Sequence, residues 1–168
     1  MPRRNRKEHE MHDLTPCLWF DTEAEDAATF YTSVFPDSRI TSTAQYGEAG
    51  PRTAGMVMTV SFEIDGREFL ALNGGPNFAF SEAISFQVMC DDQEQVDRFW
   101  SQLSEGGEQG PCGWLKDRFG VSWQVVPRVL PQLLQESDSE TSQRVMRCMM
   151  GMGKLDIAEL ERAAAAPA

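Results

Sequence analysis

The sequence predicts an α+β protein: two βαβββ modules forming a curved mixed sheet around a cleft, followed by a C-terminal helical extension. Three observations predict it. A strand, a helix and then several strands recur twice in the same order, which is an internal repeat. Within each unit the apolar period changes from two to that of a helix and back. After Pro127 strand alternation stops and helix-like segments follow. These signals divide the 168 residues into a polar tail at 1–13, paired modules at 14–127 (14–76 and 83–127) and an extension at 128–168.

The first strand runs from Leu14 to Phe20. Leu14, Pro16, Leu18 and Phe20 alternate with Thr15, Cys17 and Trp19. Thr22-Glu23-Ala24-Glu25 reads as a capping box, in which each end satisfies a backbone donor of the other. Ala24, Ala27, Ala28, Tyr31, Val34 and Phe35 recur at helical spacing until Pro36 ends the helix. Strands follow at 39–46, 56–64 and 67–73, the last two joined by Asp65-Gly66, a two-residue hairpin signal. The second module opens with a strand over 83–89, with Ile84, Phe86 and Val88 on one face. Asp92-Gln93-Glu94-Gln95 then caps a helix carrying Val96, Phe99, Trp100 and Leu103, which Gly106-Gly107 ends. Two short strands near 113–116 and 121–126 flank a turn at Asp117-Arg118-Phe119-Gly120. In the extension, Pro131–Gln135, Ser137–Met152 and a segment opened by Asp156 read as helices, with Met146, Met149, Met150 and Met152 as an adaptable apolar stripe. A lone unit cannot cover its own sheet, so two units side by side are expected to curve around a shared cleft with the helices outside.

Charge narrows the function. The chain carries 26 acidic and 15 basic residues, a net charge of −11. Phosphates are repelled by that balance, so neither nucleic acid nor an anionic membrane surface is an expected partner. No apolar run follows the basic start and none approaches the ~20 residues that span a bilayer, so a cytoplasmic protein is expected. Cys17, Cys90, Cys112 and Cys148 form no CxxC pair and are read as reduced thiols.

The string Leu14 to Asp21, with Ala24-Glu25 and Phe30-Tyr31, resembles the opening of PhnB-like proteins. These belong to the vicinal oxygen chelate (glyoxalase/bleomycin resistance/dioxygenase) superfamily. Leu72-Asn73-Gly74-Gly75-Pro76, Phe78, Phe80, Ile84-Ser85-Phe86 and the run from Cys112 to Gln124 carry the same resemblance, which spans 14–160. It implies paired βαβββ modules and a homodimer. Members often bear the label 3-demethylubiquinone-9 3-methyltransferase. Methyl transfer from S-adenosylmethionine normally needs a doubly wound parallel sheet with a glycine-rich turn from strand to helix. Here Gly106, Gly107 and Gly110 follow a helix, so that activity is not expected.

Enzymes of the superfamily hold a divalent metal with His, Gln or Glu on four cleft-facing strands, where it stabilises developing negative charge. The matching positions are Thr15 or Pro16, Ala71 or Asn73, Ala83, and Gln124. No register supplies a His or a carboxylate, so no metal and no cofactor are expected. His9 and His12 lie in the tail, and Glu63 is the carboxylate that alternation places on a cleft face. The cleft is instead expected to carry Cys17, Trp19, Asn73, Ser85, Gln87, Cys112, Trp114 and Gln124, with Thr59, Ser61 and Ser122 nearby and Phe78 on the connection between modules. Amides and hydroxyls among aromatics suit a small-molecule pocket. They equally suit a buried network that satisfies itself. Trp114 and Trp123 point opposite ways, so one belongs to the core. Cys17 and Cys112 are the candidate nucleophiles, and neither has a base or cation that marks it as activated. The expectation is metal-independent binding of a small, mostly apolar molecule. A glyoxalase- or dioxygenase-like metalloenzyme with atypical ligands and a protein-interaction module are the alternatives.

Overall fold

A computed structural model describes residues 14–135 and 138–166. The expected tail, with His9 and His12, and Ser137 lie outside the described residues. The chain runs β1 (Cys17–Phe20), α1 (Ala24–Val34), β2 (Arg39–Gln45), β3 (Val57–Ile64), β4 (Arg67–Asn73), β5 (Phe86–Cys90), α2 (Gln93–Ser104), β6 (Glu108–Gln109), β7 (Trp114–Lys116), β8 (Ser122–Pro127), α3 (Val129–Gln135), α4 (Ser139–Met150) and α5 (Ile157–Ala165). Two open four-stranded sheets result, with strand orders β1-β4-β3-β2 and β5-β8-β7-β6. In each the first strand pairs parallel with the last and the other pairs are antiparallel. The α+β class and the twofold repeat of the sequence are therefore present.

Local chemistry explains most boundaries. Asp65 and Gly66 both take positive φ (52° and 75°), the backbone a tight two-residue hairpin requires. Asp92 caps α2 by accepting from the Gln95 amide, and Gln95 returns a bond to the Asp91 amide. Three expectations change. The Thr22–Glu25 capping box does not form; the amide of Ala24 donates instead to Asn73 Oδ1, 2.8 Å away on β4. A strand residue 49 positions later thus does the work assigned to a local motif. The fifth strand starts at Phe86 rather than residue 83, and Ile84 is exposed. Glu108–Gln109 adds a two-residue strand too short for a periodicity signal.

The two modules meet through their helix-bearing faces. Phe62 and Phe69 of the first sheet, Phe86 and Trp123 of the second, and Tyr31 of α1 form a closed ring of aromatic contacts. Neighbouring centroids lie 5.4, 5.4, 5.4, 5.5 and 6.0 Å apart. Phe35 adds a stacked contact to Phe99 of α2 at 5.1 Å. Each such side chain contributes about 1.5–3 kcal/mol by burial. One core cluster consequently runs through both modules. Helices therefore lie between the sheets rather than outside them, and the other face of each sheet points outward.

Asp117 fixes this arrangement. It is buried, and its two oxygens accept four bonds: from the amides of Phe119 and Val121, the Tyr31 hydroxyl at 2.8 Å and Trp123 Nε1 at 2.8 Å. The two amides build the turn at the end of β7, Trp123 fixes the carboxylate to β8, and the Tyr31 hydroxyl binds the first module to it.

The extension packs on its own chain. Leu130, Val145, Leu155 and Leu160 bury Val126, with Met89 partly buried beside them, covering one end of the second sheet's outward face. Backbone bonds from Cys112 to Met152 and Gly113 to Gly153 anchor it. Gln93 at the start of α2 grips both Leu155 and Ile157.

Asp117→Asn is expected to destabilise the fold by about 1–3 kcal/mol at neutral pH, because an amide nitrogen faces the Trp123 N–H, a donor that cannot turn to accept. Burial pushes the Asp117 carboxyl above its ordinary range, against the pull of its four bonds. The native state then holds this proton more tightly than the unfolded chain does. Stability from this group is greatest in acid and falls as pH rises from about 4 to the raised native value. Urea titrations should therefore show the gap between wild type and Asp117→Asn narrowing across that window. Asn73→Ala should cost about 2–3 kcal/mol, because it strips the α1 cap and the bond from Asn73 Nδ2 to the Val57 carbonyl. A smaller loss than about 1 kcal/mol in the same titration counts against that role.

Candidate ligand-binding site

Strand alternation decides what each outward face presents. On the first sheet Leu18, Val60, Phe62, Ile64, Phe69 and Ala71 turn inward. Cys17, Trp19, Thr59, Ser61, Leu70 and Leu72 therefore share the outward face, as the pairings Cys17–Leu70, Trp19–Leu72, Thr59–Leu72 and Ser61–Leu70 require. Trp19 lies flat on Gly74: a Cβ there would come within 2.5 Å of the indole. Its Nε1 donates to the Gly75 carbonyl at 2.7 Å. Gly75 has φ 104°, which a side chain would strain, so the glycine pair exists to seat the tryptophan. Phe78, largely exposed, meets Trp19 edge-on at 5.0 Å, whereas Phe80 turns into the core against Phe20. Cys17, Trp19 and Phe78 thus form one group. Arg52 supports it from behind by binding Asp21.

The second sheet holds the other group. Gln124 Nε2 donates to Ser85 Oγ at 2.7 Å, and Gln87 Nε2 donates to Gln124 Oε1 at 3.1 Å. Trp114 pairs across the ladder with Gln124 and shares its face, while Trp123 faces the core. Beyond Trp114 the face ends in a cavity of about 400 Å³ lined by Glu82, Glu108, Trp114, Lys116 and Ser122 among others. Ser85, Gln87, Trp114 and Gln124 are brought together; the Cys17 group lies on the opposite side of the core.

Two expected site residues are placed elsewhere. Asn73 belongs to the inward face of β4 and is only 2% exposed; both ends of its amide serve α1 and β3. The alternation that puts Leu72 outward puts Asn73 inward. Cys112 sits against the extension, its Sγ 3.6 Å from Met150 Sδ. Lys116, on the strand that follows, is paired with Glu82. Burial pushes the Cys17 thiol up, and takes Cys90 to about 11, so neither is a thiolate at neutral pH. All four cysteines are free. Glu63 does face outward, paired with Arg39 at 2.9 Å. Glu82 and Glu108 were not anticipated, because neither lies in a strand whose period is legible. Asp117 and Tyr31 were missed as partners for the same reason that any contact 86 residues apart is missed: local pattern holds no trace of it.

The four positions where superfamily enzymes hold a divalent metal do not fit one here. Ala71, Ala83, Thr15 and Pro16 supply no strong donor, Asn73 is committed to backbone groups, and Gln124 to Ser85 and Gln87. Among the described residues no three His, Cys, Asp or Glu side chains come together as a cation site. Among them, too, no helix is long and apolar enough to cross a membrane.

The family profile follows the repeat and ends before the extension. The sequence profile of the family described as 3-demethylubiquinone-9 3-methyltransferase matches residues 12–126. A solved structure described as a putative 3-demethylubiquinone-9 3-methyltransferase, PhnB protein, from Bacillus cereus is 34% identical. The match covers 69% of this chain and 99% of that one, with a TM-score of 0.62. A protein from Pseudomonas aeruginosa, 20% identical over 70% of this chain and 98% of that one, has a TM-score of 0.58. The fosfomycin resistance protein FosX from Listeria monocytogenes, 12% identical over 73% and 97%, has a TM-score of 0.50. These last two share the fold. No curated protein matches the chain. With more than half its length matched and a one-third-identical relative covered almost whole, the chain belongs to the 3-demethylubiquinone-9 3-methyltransferase family of PhnB-like proteins, within the vicinal oxygen chelate superfamily.

Proposed function

We propose that this chain is a metal-independent small-molecule binding protein of the cytoplasm, working without a cofactor as a homodimer. Its binding unit is the paired modules, 14–76 and 83–127, and its extension, 128–168, is a cover. One observation carries the reading: the outward face of the second sheet sets an indole beside neutral amides and a hydroxyl, next to an open cavity of about 400 Å³. Apolar walls with a few placed polar groups are the composition of a ligand site, and that volume falls in the range of small-molecule pockets. The methyltransferase in the family's description receives no support from the fold, whose two mixed sheets lack a doubly wound parallel core.

The outward faces support the dimer. Leu70 and Leu72 are only half-buried on the outward face of the first sheet. Placing the first sheet of one chain over the second sheet of another covers both and brings Cys17, Trp19 and Phe78 opposite Ser85, Gln87, Trp114 and Gln124. In such a dimer the two groups would face each other across a shared cleft.

A thermal-shift screen of aromatic metabolites and antibiotics, run on protein purified without chelator and on chelator-treated protein, tests the binding reading. At least one compound should raise the melting temperature equally in both, and Gln124→Leu should abolish the shift. A shift that needs stoichiometric metal, or none with any compound, counts against it. Light scattering in ~0.15 M salt should give twice the 18.8 kDa chain mass for wild type and the single mass for Leu72→Arg. A wild-type monomer at micromolar concentration defeats the dimer.

A further inference from the structure

The outward face of the second sheet is divided. The extension closes the Met89–Val126 end, and the cavity opens at the Lys116–Ser122 end. None of the four strand positions matched to a superfamily metal lines that cavity. Ser122 is 1% exposed, and its hydroxyl is the one buried side-chain oxygen or nitrogen without a hydrogen-bond partner among the described residues. A hydroxyl has one donor and two acceptor sites, and a buried one is ordinarily satisfied. Ladder pairing of Lys116 with Ser122 and of Glu108 with Lys116 puts all three on one face. The Lys116 ammonium is held by Glu82, which leaves the Glu108 carboxylate in surplus. Trp114 supplies an aromatic wall.

We propose that this cavity binds a small aromatic amine: the ring rests against Trp114, a polar ring substituent reaches Ser122, and the protonated nitrogen lies by Glu108. The inference rests on the small-molecule reading and gives it a place and a chemistry. Sign of charge selects the class. The charged side chains of the lining carry one excess negative charge and the chain carries −11, so a cation is attracted and an anion repelled. An indole face adds a cation–π attraction for the same sign. Ser122 selects against a bare hydrocarbon ring, because a ligand without a polar group leaves its hydroxyl unmet.

Calorimetry with tyramine and with 4-hydroxyphenylacetate, two phenols that differ in the sign of their charged end, tests this. The expected result is saturable binding of tyramine, no binding of 4-hydroxyphenylacetate, and at least a tenfold weaker tyramine affinity in Ser122→Ala and in Glu108→Gln. Glu108 is exposed, so its variant remains informative should Ser122→Ala perturb the strand; circular dichroism checks both. Tyramine affinity unchanged in both variants overturns the site. Equal binding of the two phenols overturns the amine selectivity. If neither binds while a compound from the wider screen shifts melting in a Gln124-dependent way, this inference fails and the small-molecule reading stands. If nothing in either experiment binds, both fail.

Discussion

The Asp117 carboxylate is the constraint on which the rest of this structure hangs. Its Oδ2 joins a hydroxyl on α1 to an indole on β8, and its Oδ1 closes the turn between β7 and β8. Around that point the aromatic ring of Tyr31, Phe62, Phe69, Phe86 and Trp123 closes. A buried carboxylate is expensive unless its lone pairs are met, and here four donors meet them. Three of the donors belong to the second module and hold the carboxylate in place, and the fourth, the Tyr31 hydroxyl, comes from the first module, so a slide of one module over the other strands that bond.

Once the inward faces are committed to each other, the outward ones inherit the function. Their composition differs from that of a core: serines, threonines, glutamines and a cysteine stand between indoles and leucines. The positions matched to a superfamily metal hold alanines, a proline or threonine, and amides bonded to neighbours, while the Trp19 seat on Gly74 and the Ser85–Gln124–Gln87 chain are fully formed. The extension, which lies past the family match, changes the second face by covering its far end and leaving the near end open.

Much of the fold was readable because it is written in local pattern. The Asp65-Gly66 turn, the Asp92 cap and the apolar stripes of α1 and α2 each follow from a few neighbouring residues. Errors arose where a distant residue won. Asn73 displaced the Thr22 capping box, and with it the idea that Asn73 faces a ligand. The modules packed helix side to helix side because Tyr31, Phe35 and Trp123 share one core, a choice no alternation reveals. For the candidate site, strand period correctly grouped Ser85, Gln87 and Gln124, but Glu82 and Glu108 come from a connection and a two-residue strand. Cys112, placed in the site by its neighbours in sequence, is drawn aside by Met150 of the extension.

The separation of 86 positions between Tyr31 and Asp117 also sets an order of events during synthesis. A ribosome working at ~5–20 residues per second needs about 4–17 s to travel that distance. In the later part of that interval, after β4 is complete at Asn73, Phe62 and Phe69 are uncovered with no second sheet to receive them. Contacts this far apart in the chain are slow to form and leave sticky intermediates. The nascent first module is therefore the stage of synthesis that leaves most of this apolar surface uncovered, and β8 with Trp123 is the element that completes its cover.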